Sequence, residues 1–171
     1  SRYPASVLAD VVRMTKLAPS PLAEEAQKVP WAKLSDPDRD SRYCWGNIRH
    51  HVPVLLNALV RGEPDLRETA FDLLFGETFH QGTIYESTAR LTPFFIRLVG
   101  DPTTSKEDRE RYLDALRYYA ESLAAYLPQV EEGAPAAKWL RAMQDSFVRA
   151  RSQFVAWART GEPATRHRAT T

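Results

Sequence analysis

The sequence predicts an all-α protein. Apolar residues recur at intervals of three and four positions through most of its 171 residues, glycines and prolines separate these segments, and no stretch alternates between apolar and polar residues. The hydrophobic content of 43% and the charged content of 26% are typical of a globular domain. We therefore predict about five to seven helices without a sheet, in a single domain over residues 1–160, followed by a flexible basic tail over residues 161–171.

Prolines, glycines and capping residues set the predicted bounds of the helices. Prolines end two N-terminal helices, and Gly62 and Gly82 end two of the later ones. Thr83 with Glu86 three residues later predicts a capping box, and Ser105 opens the helix that follows. The predicted helices cover residues 4–17, 22–29, 46–61, 64–80, 84–100, 105–127 and 135–159.

The middle of the chain contains two similar segments. Pro53 and the three apolar residues after it are echoed 40 positions later by Pro93 and its three apolar successors. A unit of about 40 residues is the period of HEAT and armadillo helix pairs, which predicts two antiparallel pairs stacked side by side. Because proline removes a backbone hydrogen bond, each first helix is predicted to kink at its proline. The pairs are 46–61 with 64–80, and 84–100 with 105–127.

A longer motif in the same region resembles a known family. Its parts are Val52-Pro53-Val54-Leu55-Leu56, Arg67, His80-Gln81-Gly82-Thr83-Ile84-Tyr85-Glu86-Ser87-Thr88 and Pro93-Phe94. With these parts, residues 31–99 resemble a group of bacterial HEAT-repeat proteins that are common in high-GC organisms. The resemblance implies a short HEAT-like helical-repeat array of antiparallel helix pairs, and it implies no particular biochemical activity.

The sequence offers little for catalysis. It contains no G-x-S-x-G motif, no glycine-rich phosphate loop and no H-E-x-x-H motif. Glu77 and His80 have the E-x-x-H spacing found in di-iron bundles, but the second motif that such a site requires is missing. We therefore predict no metal, no cofactor and no catalytic residue, and the sequence favours a protein that is not an enzyme.

The residues around His80 allow two interpretations. At a junction between two helices, His80 and Gln81 would satisfy backbone groups that are left unpaired where one helix ends and the next begins. Alternatively, Glu77, His80, Gln81 and Tyr85 form a functional site. The sequence favours the structural interpretation, because Gly82 and the predicted cap at Thr83 follow directly.

The last two predicted helices contain the candidate binding residues. Three tyrosines repeat every seven positions and so share one helix face, and residues 133–171 contain seven basic residues against two acidic ones. Large aromatic and arginine side chains are common at binding surfaces, although aromatic residues suit a core equally well. The candidates are Tyr112, Tyr119, Tyr126, Trp139, Arg141 and Arg149.

Three functions fit these observations. The first is a non-enzymatic helical-repeat scaffold that binds another protein, in an immunity-type or accessory role, and the sequence favours it. The second is a HEAT-like nucleic-acid-binding protein, related to DNA-repair glycosylases, that uses the basic C-terminal helix; the net charge of +1 argues against it. The third is a small-molecule-binding protein with an aromatic-lined pocket.

Cysteine usage and hydropathy predict the compartment. Cys44 is the single cysteine, so an internal disulfide is excluded and a reducing environment fits. No apolar run is long enough to span a bilayer. We therefore expect a cytoplasmic protein that does not contact a membrane.

Overall fold

The structure is a computed structural model that describes residues 3–34, 51–80 and 82–160. Within these residues it contains seven α-helices, two short 3₁₀ turns (Trp31–Lys33 and Leu127–Gln129) and two strands of two residues each. The helices are α1 (Ala5–Thr15), α2 (Pro21–Ala26), α3 (Val52–Arg61), α4 (Pro64–Thr78), α5 (Glu86–Gly100), α6 (Lys106–Tyr126) and α7 (Pro135–Thr160). The strands are β1 (Phe79–His80) and β2 (Thr83–Ile84).

The all-α prediction is confirmed for the described residues, with one correction. The expectation of a fold without any strand is wrong, because α4 ends at Thr78 and the chain becomes extended on both sides of Gly82. Gly82 itself has a φ of 81°, a backbone conformation that residues with a side chain rarely adopt. The predicted tail over residues 161–171 lies outside the described residues.

The chain divides into two compact units, Ser1–His80 and Gln81–Thr171, and each has its own apolar interior. In the first unit α3 packs against α1, α2 and α4. Its buried residues include Leu55, Leu56 and Leu59, and Asn57 beside them donates a hydrogen bond from Nδ2 to the carbonyl oxygen of Ala18 at 3.0 Å. That bond ties α3 to the segment between α1 and α2.

An ion-pair cluster joins α1 to α4 at the surface of the first unit. Arg13 Nη1 lies 3.1 Å from Asp10 Oδ1 and 3.3 Å from Asp65 Oδ2, and Thr69 donates to Asp10 at 3.4 Å. The hydrogen bond from Arg13 holds the pKa of Asp65 below its ordinary value. Arg13 and Asp65 are exposed and Asp10 is partly exposed, so solvent screening keeps the contribution of the cluster to stability small.

In the second unit α5 packs against both α6 and α7. The end of α5 approaches α7 closely, since a Cβ added to Gly100 would lie 3.3 Å from Cζ2 of Trp157. The interior is made of large apolar side chains from all three helices, which include Leu91, Phe95, Tyr112, Leu113, Leu116, Tyr119, Leu140 and Met143.

The start of α5 differs from the predicted capping box. Thr83 belongs to β2, and the residue that precedes the first turn of α5 is Tyr85. The amide of Tyr85 donates to Oγ1 of Thr88 at 3.0 Å. The capping residue of α5 therefore lies two positions after the predicted Thr83, because the chain stays extended through Ile84 before the helix begins.

The two prolines that suggested a repeated kink do not occupy equivalent places. Pro53 is the second residue of α3, where its missing N–H has no intrahelical partner to lose. Pro93 lies in the interior of α5, seven residues after Glu86. The predicted kink at Pro53 is therefore wrong, and residues 46–50 of the helix predicted there lie outside the described residues.

One arginine holds the connection between α5 and α6 in place. Nε of Arg109 donates to the carbonyl oxygen of Val99 at 3.0 Å, and Nη2 donates to the carbonyls of Asp101 and Thr104 at 3.2 and 3.3 Å. The predicted opening of α6 at Ser105 is confirmed, since its hydroxyl accepts from the amide of Asp108 at 3.2 Å. Side-chain hydrogen bonds therefore hold the loop between α5 and α6 at both of its ends.

Lowering the pH is expected to weaken the same loop. The pKa of Asp101 is lowered mainly because its carboxylate accepts hydrogen bonds from the hydroxyl and amide of Thr103, with a further contribution from nearby Arg109. A carboxylate whose folded pKa lies below its unfolded value of about 3.9 stabilises the fold above that pH and loses this contribution as the pH falls through the folded pKa. Denaturant unfolding of the parent and of Asp101→Asn should therefore differ most near neutral pH and converge below about pH 4. A difference that stays constant over this range would contradict the assignment.

Replacing two glycines of the first unit with alanine should change the free energy of unfolding in opposite directions. A Cβ at Gly62 would lie 2.5 Å from the carbonyl oxygen of Ala58, so Gly62→Ala is expected to cost about 1–3 kcal/mol. Gly76 lies inside α4 with nothing within 4 Å of such a Cβ, so Gly76→Ala should stabilise the protein by about 0.5–1 kcal/mol. Thermal melting should show a lower melting temperature for Gly62→Ala and a higher one for Gly76→Ala. A lower melting temperature for Gly76→Ala would contradict the open surroundings of Gly76 on α4.

Candidate functional site

The predicted tyrosine stripe on α6 is divided between core and surface. Tyr112 and Tyr119 are fully buried, and their rings stack on Phe95 of α5 with centroid distances of 5.8 and 6.0 Å. Tyr126, at the end of α6, is half-buried. Two of the three tyrosines therefore form part of the core of the second unit, and the exposed tyrosine of α6 is Tyr118, at 44%.

The two candidate residues on the first half of α7 lie in different environments. Trp139 is buried and contributes to the core. Arg141 is exposed, with Nη2 3.8 Å from Oε1 of Glu132. It lines a half-open hollow of about 400 Å³ together with Leu127, Val130, Ala137, Gln144 and Asp145. Its lining contains one cationic and one anionic side chain beside apolar ones, and it includes none of the buried tyrosines.

The residues around His80 are only partly described. Glu77 lies on α4 and His80 on β1, but their side chains and the whole of Gln81 lie outside the described part of the chain. Tyr85 is buried next to the start of α5. Cys44 and His50 also lie outside it. The structural and functional interpretations of this segment both stay predictions.

The second half of α7 has an exposed face opposite its buried stripe. Met143, Ala150 and Ala158 face the interior, whereas Val148 is 64% and Val155 37% exposed. We call the exposed side the outer face of α7; its residues follow helical spacing and share one side of the rod. It consists of Val148, Arg151, Ser152, Val155 and Arg159.

The outer face of α7 is positively charged. Arg151 and Arg159 lie one turn before and after Val155, and both are exposed. Arg149, a predicted candidate residue, is exposed beside Val148. Residues 146–159 contain no aspartate or glutamate, so no carboxylate within this part of the helix neutralises Arg151 or Arg159, whereas the exposed Asp145 lies one turn before Arg149. The outer face of α7 therefore consists of exposed valine side chains flanked by arginines.

Such a surface suits contact with a macromolecule. Protein interfaces commonly place apolar side chains at the centre and polar ones at the rim, and arginine is enriched in them. Over the residues that the structure covers, no group of three or more histidine, cysteine, aspartate or glutamate residues is arranged to hold a metal ion. In the same residues, no helix combines the length and apolar character needed to cross a bilayer.

Val148 and Val155 were not recognised from the sequence as candidate residues. Leu140, Met143 and Phe147 follow helical spacing along α7, and large apolar residues in this pattern indicate the buried side of a helix. The signal was nevertheless present, because two valines seven positions apart lie on the side opposite that stripe.

Comparison of the chain with protein-family models, with curated proteins and with solved structures gave no match.

Proposed function

We propose that this chain is a non-enzymatic, HEAT-like helical module that binds another protein through the outer face of α7. The observation that carries the proposal is the exposure of Val148 and Val155 between arginines, on a helix whose other side is buried in the core. Covering the two valines would remove apolar surface from water, and this requires a partner that is itself apolar at the point of contact.

The valines favour a protein over a nucleic acid. Phosphate groups are contacted by cationic and hydrogen-bonding side chains, and a sugar-phosphate backbone offers little apolar surface to cover Val148. The arginines add electrostatic attraction for an acidic partner, which raises the association rate and selects against basic partners. A protein segment with carboxylates around an apolar centre would cover the valines and pair with the arginines of the outer face of α7.

The HEAT-like arrangement is part of the same proposal. In the first unit α3 packs on α4, and in the second α5 packs on α6, with short connections that favour antiparallel neighbours. Helical pairs of this kind have surfaces that recognise extended partners.

A capture experiment with matched variants tests the proposal. The chain is immobilised and incubated with a nuclease-treated lysate of its source organism, and the retained proteins are compared with those held by Val148→Asp. Val12→Asp is the control, because Val12 is a valine of α1 with a similar exposure of 54%. We expect Val12→Asp to retain the same protein as the parent and Val148→Asp to lose it, by at least about tenfold in apparent affinity, since a carboxylate would be buried there.

Two outcomes would contradict the proposal. Retention that Val148→Asp leaves unchanged would place the contact elsewhere. Binding of a labelled DNA duplex, with a steep loss on adding salt and no dependence on Val148, would favour the nucleic-acid interpretation.

A further inference from the structure

One side of α7 carries two consecutive depressions. The first is the half-open hollow of about 400 Å³, and its lining includes Arg141 and Gln144 of α7. The second is a more open groove of about 530 Å³, and every residue that lines it belongs to the second half of the same helix, from Val148 to Arg159. The outer face of α7 therefore begins where the hollow ends.

The two depressions lie on the same side of the helix. Arg141, Val148 and Val155 follow one another at intervals of seven residues, which is close to two turns of an α-helix, and all three are exposed. With a rise of about 1.5 Å per residue, the exposed side extends for about 27 Å. We call it the α7 strip. It consists of Arg141, Gln144, Val148, Arg151, Val155 and Arg159.

The end of the α7 strip at the hollow is apolar and carries both signs of charge. The 3₁₀ turn that follows α6 packs against α7, and its Leu127 lines the hollow together with Val130. Asp145 lies in the same lining, and Arg141 is already 3.8 Å from Glu132, so the hollow attracts neither sign of charge strongly. Its volume lies near the lower end of the range for ligand pockets, about 300–1,000 Å³, and leaves room for one large apolar side chain.

The other end of the α7 strip is positive. Arg151 and Arg159 flank Val155, and residues 146–159 contain no aspartate or glutamate. A complementary partner therefore has apolar side chains along the whole strip and carboxylates at one end only.

From these features we infer that the partner bound by the outer face of α7 contributes one amphipathic helix, which lies along the α7 strip and places an apolar side chain in the hollow. The inference rests on the proposed function and names the kind of partner. A helix fits because positions seven residues apart on α7 are separated by about 10 Å, the interval at which a second helix also returns to the same side. An extended segment returns to the same side every two residues, or about 7 Å.

Fluorescence anisotropy with a labelled synthetic peptide and the full chain tests the inference. The probe is a helical peptide of about 21 residues, long enough to span the strip. It has leucines at alternating intervals of three and four, glutamates beside the leucines of one half, and alanine and glutamine elsewhere. We expect it to bind, and the same peptide with lysine for glutamate to bind at least about tenfold more weakly. No binding of the acidic peptide at about 1 mM, or equal binding of the lysine peptide, would overturn the inference.

A proline-substituted peptide tests whether the bound segment is helical. Two prolines in the centre of the acidic peptide prevent a continuous helix and leave its charge unchanged. This peptide should bind at least about tenfold more weakly than the parent peptide. An unchanged affinity would show that the strip holds an extended segment, which contradicts the inference.

A matched pair of variants tests the contact at the hollow. Gln144 lines the hollow, whereas Gln153 is exposed on the opposite side of α7, nine residues and about two and a half turns later. Gln144→Glu should raise the dissociation constant of the acidic peptide at least about fivefold, because an apolar side chain in the hollow would take the new carboxylate out of water. Gln153→Glu adds the same charge and should change it less than about twofold. Equal effects of the two variants would overturn the contact at the hollow.

The inference and the proposed function fail in different ways. If the acidic peptide did not bind but Val148→Asp still lost the captured protein, the inference would be wrong, and the proposed function would stand with a partner of another shape. If capture were insensitive to Val148, the proposed function would be wrong, whatever the peptide binds.

Discussion

Replacing Tyr119 with alanine is expected to lower the free energy of unfolding by about 3–5 kcal/mol, the range for removing a large aromatic ring from a core. Tyr119 is fully buried and stacks on Phe95 at 6.0 Å, so its removal leaves a cavity between α5 and α6. Domains of this size have total stabilities of about 5–15 kcal/mol, and the loss would be a large part of that. Denaturant unfolding followed by circular dichroism measures it.

The neighbouring tyrosine is the matched control for this prediction. Tyr118 is the same residue type on the same helix, but it is 44% exposed, and its described ring contact is with Arg117. Tyr118→Ala should cost much less than Tyr119→Ala, because a ring that is 44% exposed buries less apolar area and leaves no enclosed cavity. Equal costs for the two variants would contradict the placement of Tyr119 in the core.

Arg109→Ala is expected to destabilise the protein by about 2–3 kcal/mol. The guanidinium donates to three backbone carbonyls at the end of α5 and in the following loop, and alanine would leave them without this partner. Arg109→Lys should recover only part of the loss. Lysine keeps a cationic donor, but its ammonium group lacks the planar fork that reaches several carbonyls at once. In thermal melting, the parent should have the highest melting temperature, Arg109→Lys an intermediate one and Arg109→Ala the lowest.

An exposed arginine of the second unit provides the control. Arg149 lies on the surface of α7, and Arg149→Ala should change the free energy of unfolding by less than about 0.5 kcal/mol. If Arg109→Ala were as mild as Arg149→Ala, the hydrogen bonds of the loop would contribute nothing net to stability.

Helix content was predictable from the sequence, because helical periodicity is local. Ser105 opens α6 and Pro64 begins α4 as predicted, since capping and proline preferences depend on a few neighbouring residues. Thr83 failed as a cap because the chain remains extended there, and this depends on packing beyond the capping pattern. Pro53 and Pro93 looked equivalent in the sequence, but only the structure shows that α3 begins at Val52 whereas α5 begins well before its proline.

The candidate surface was less predictable than the fold. Arg149 was identified from local charge, but Tyr112 and Tyr119 were weighed as binding residues although they are buried. A tyrosine stripe at seven-residue spacing looks the same whether it faces a core or a partner, because both environments accept an amphipathic ring. Which side of α7 is exposed depends on where α5 packs, and a pattern within one helix does not specify that.

Cross-linking from the outer face of α7 tests the central claim most directly. A photo-activatable residue at position 148 replaces a valine that is 64% exposed on that face, and the same residue at position 12 replaces one that is 54% exposed on α1. Illumination in the presence of the bound protein should give a cross-linked product from position 148 and little from position 12. Products from position 12 alone, or from both positions in equal amounts, would contradict the assignment of the outer face of α7 as the binding surface.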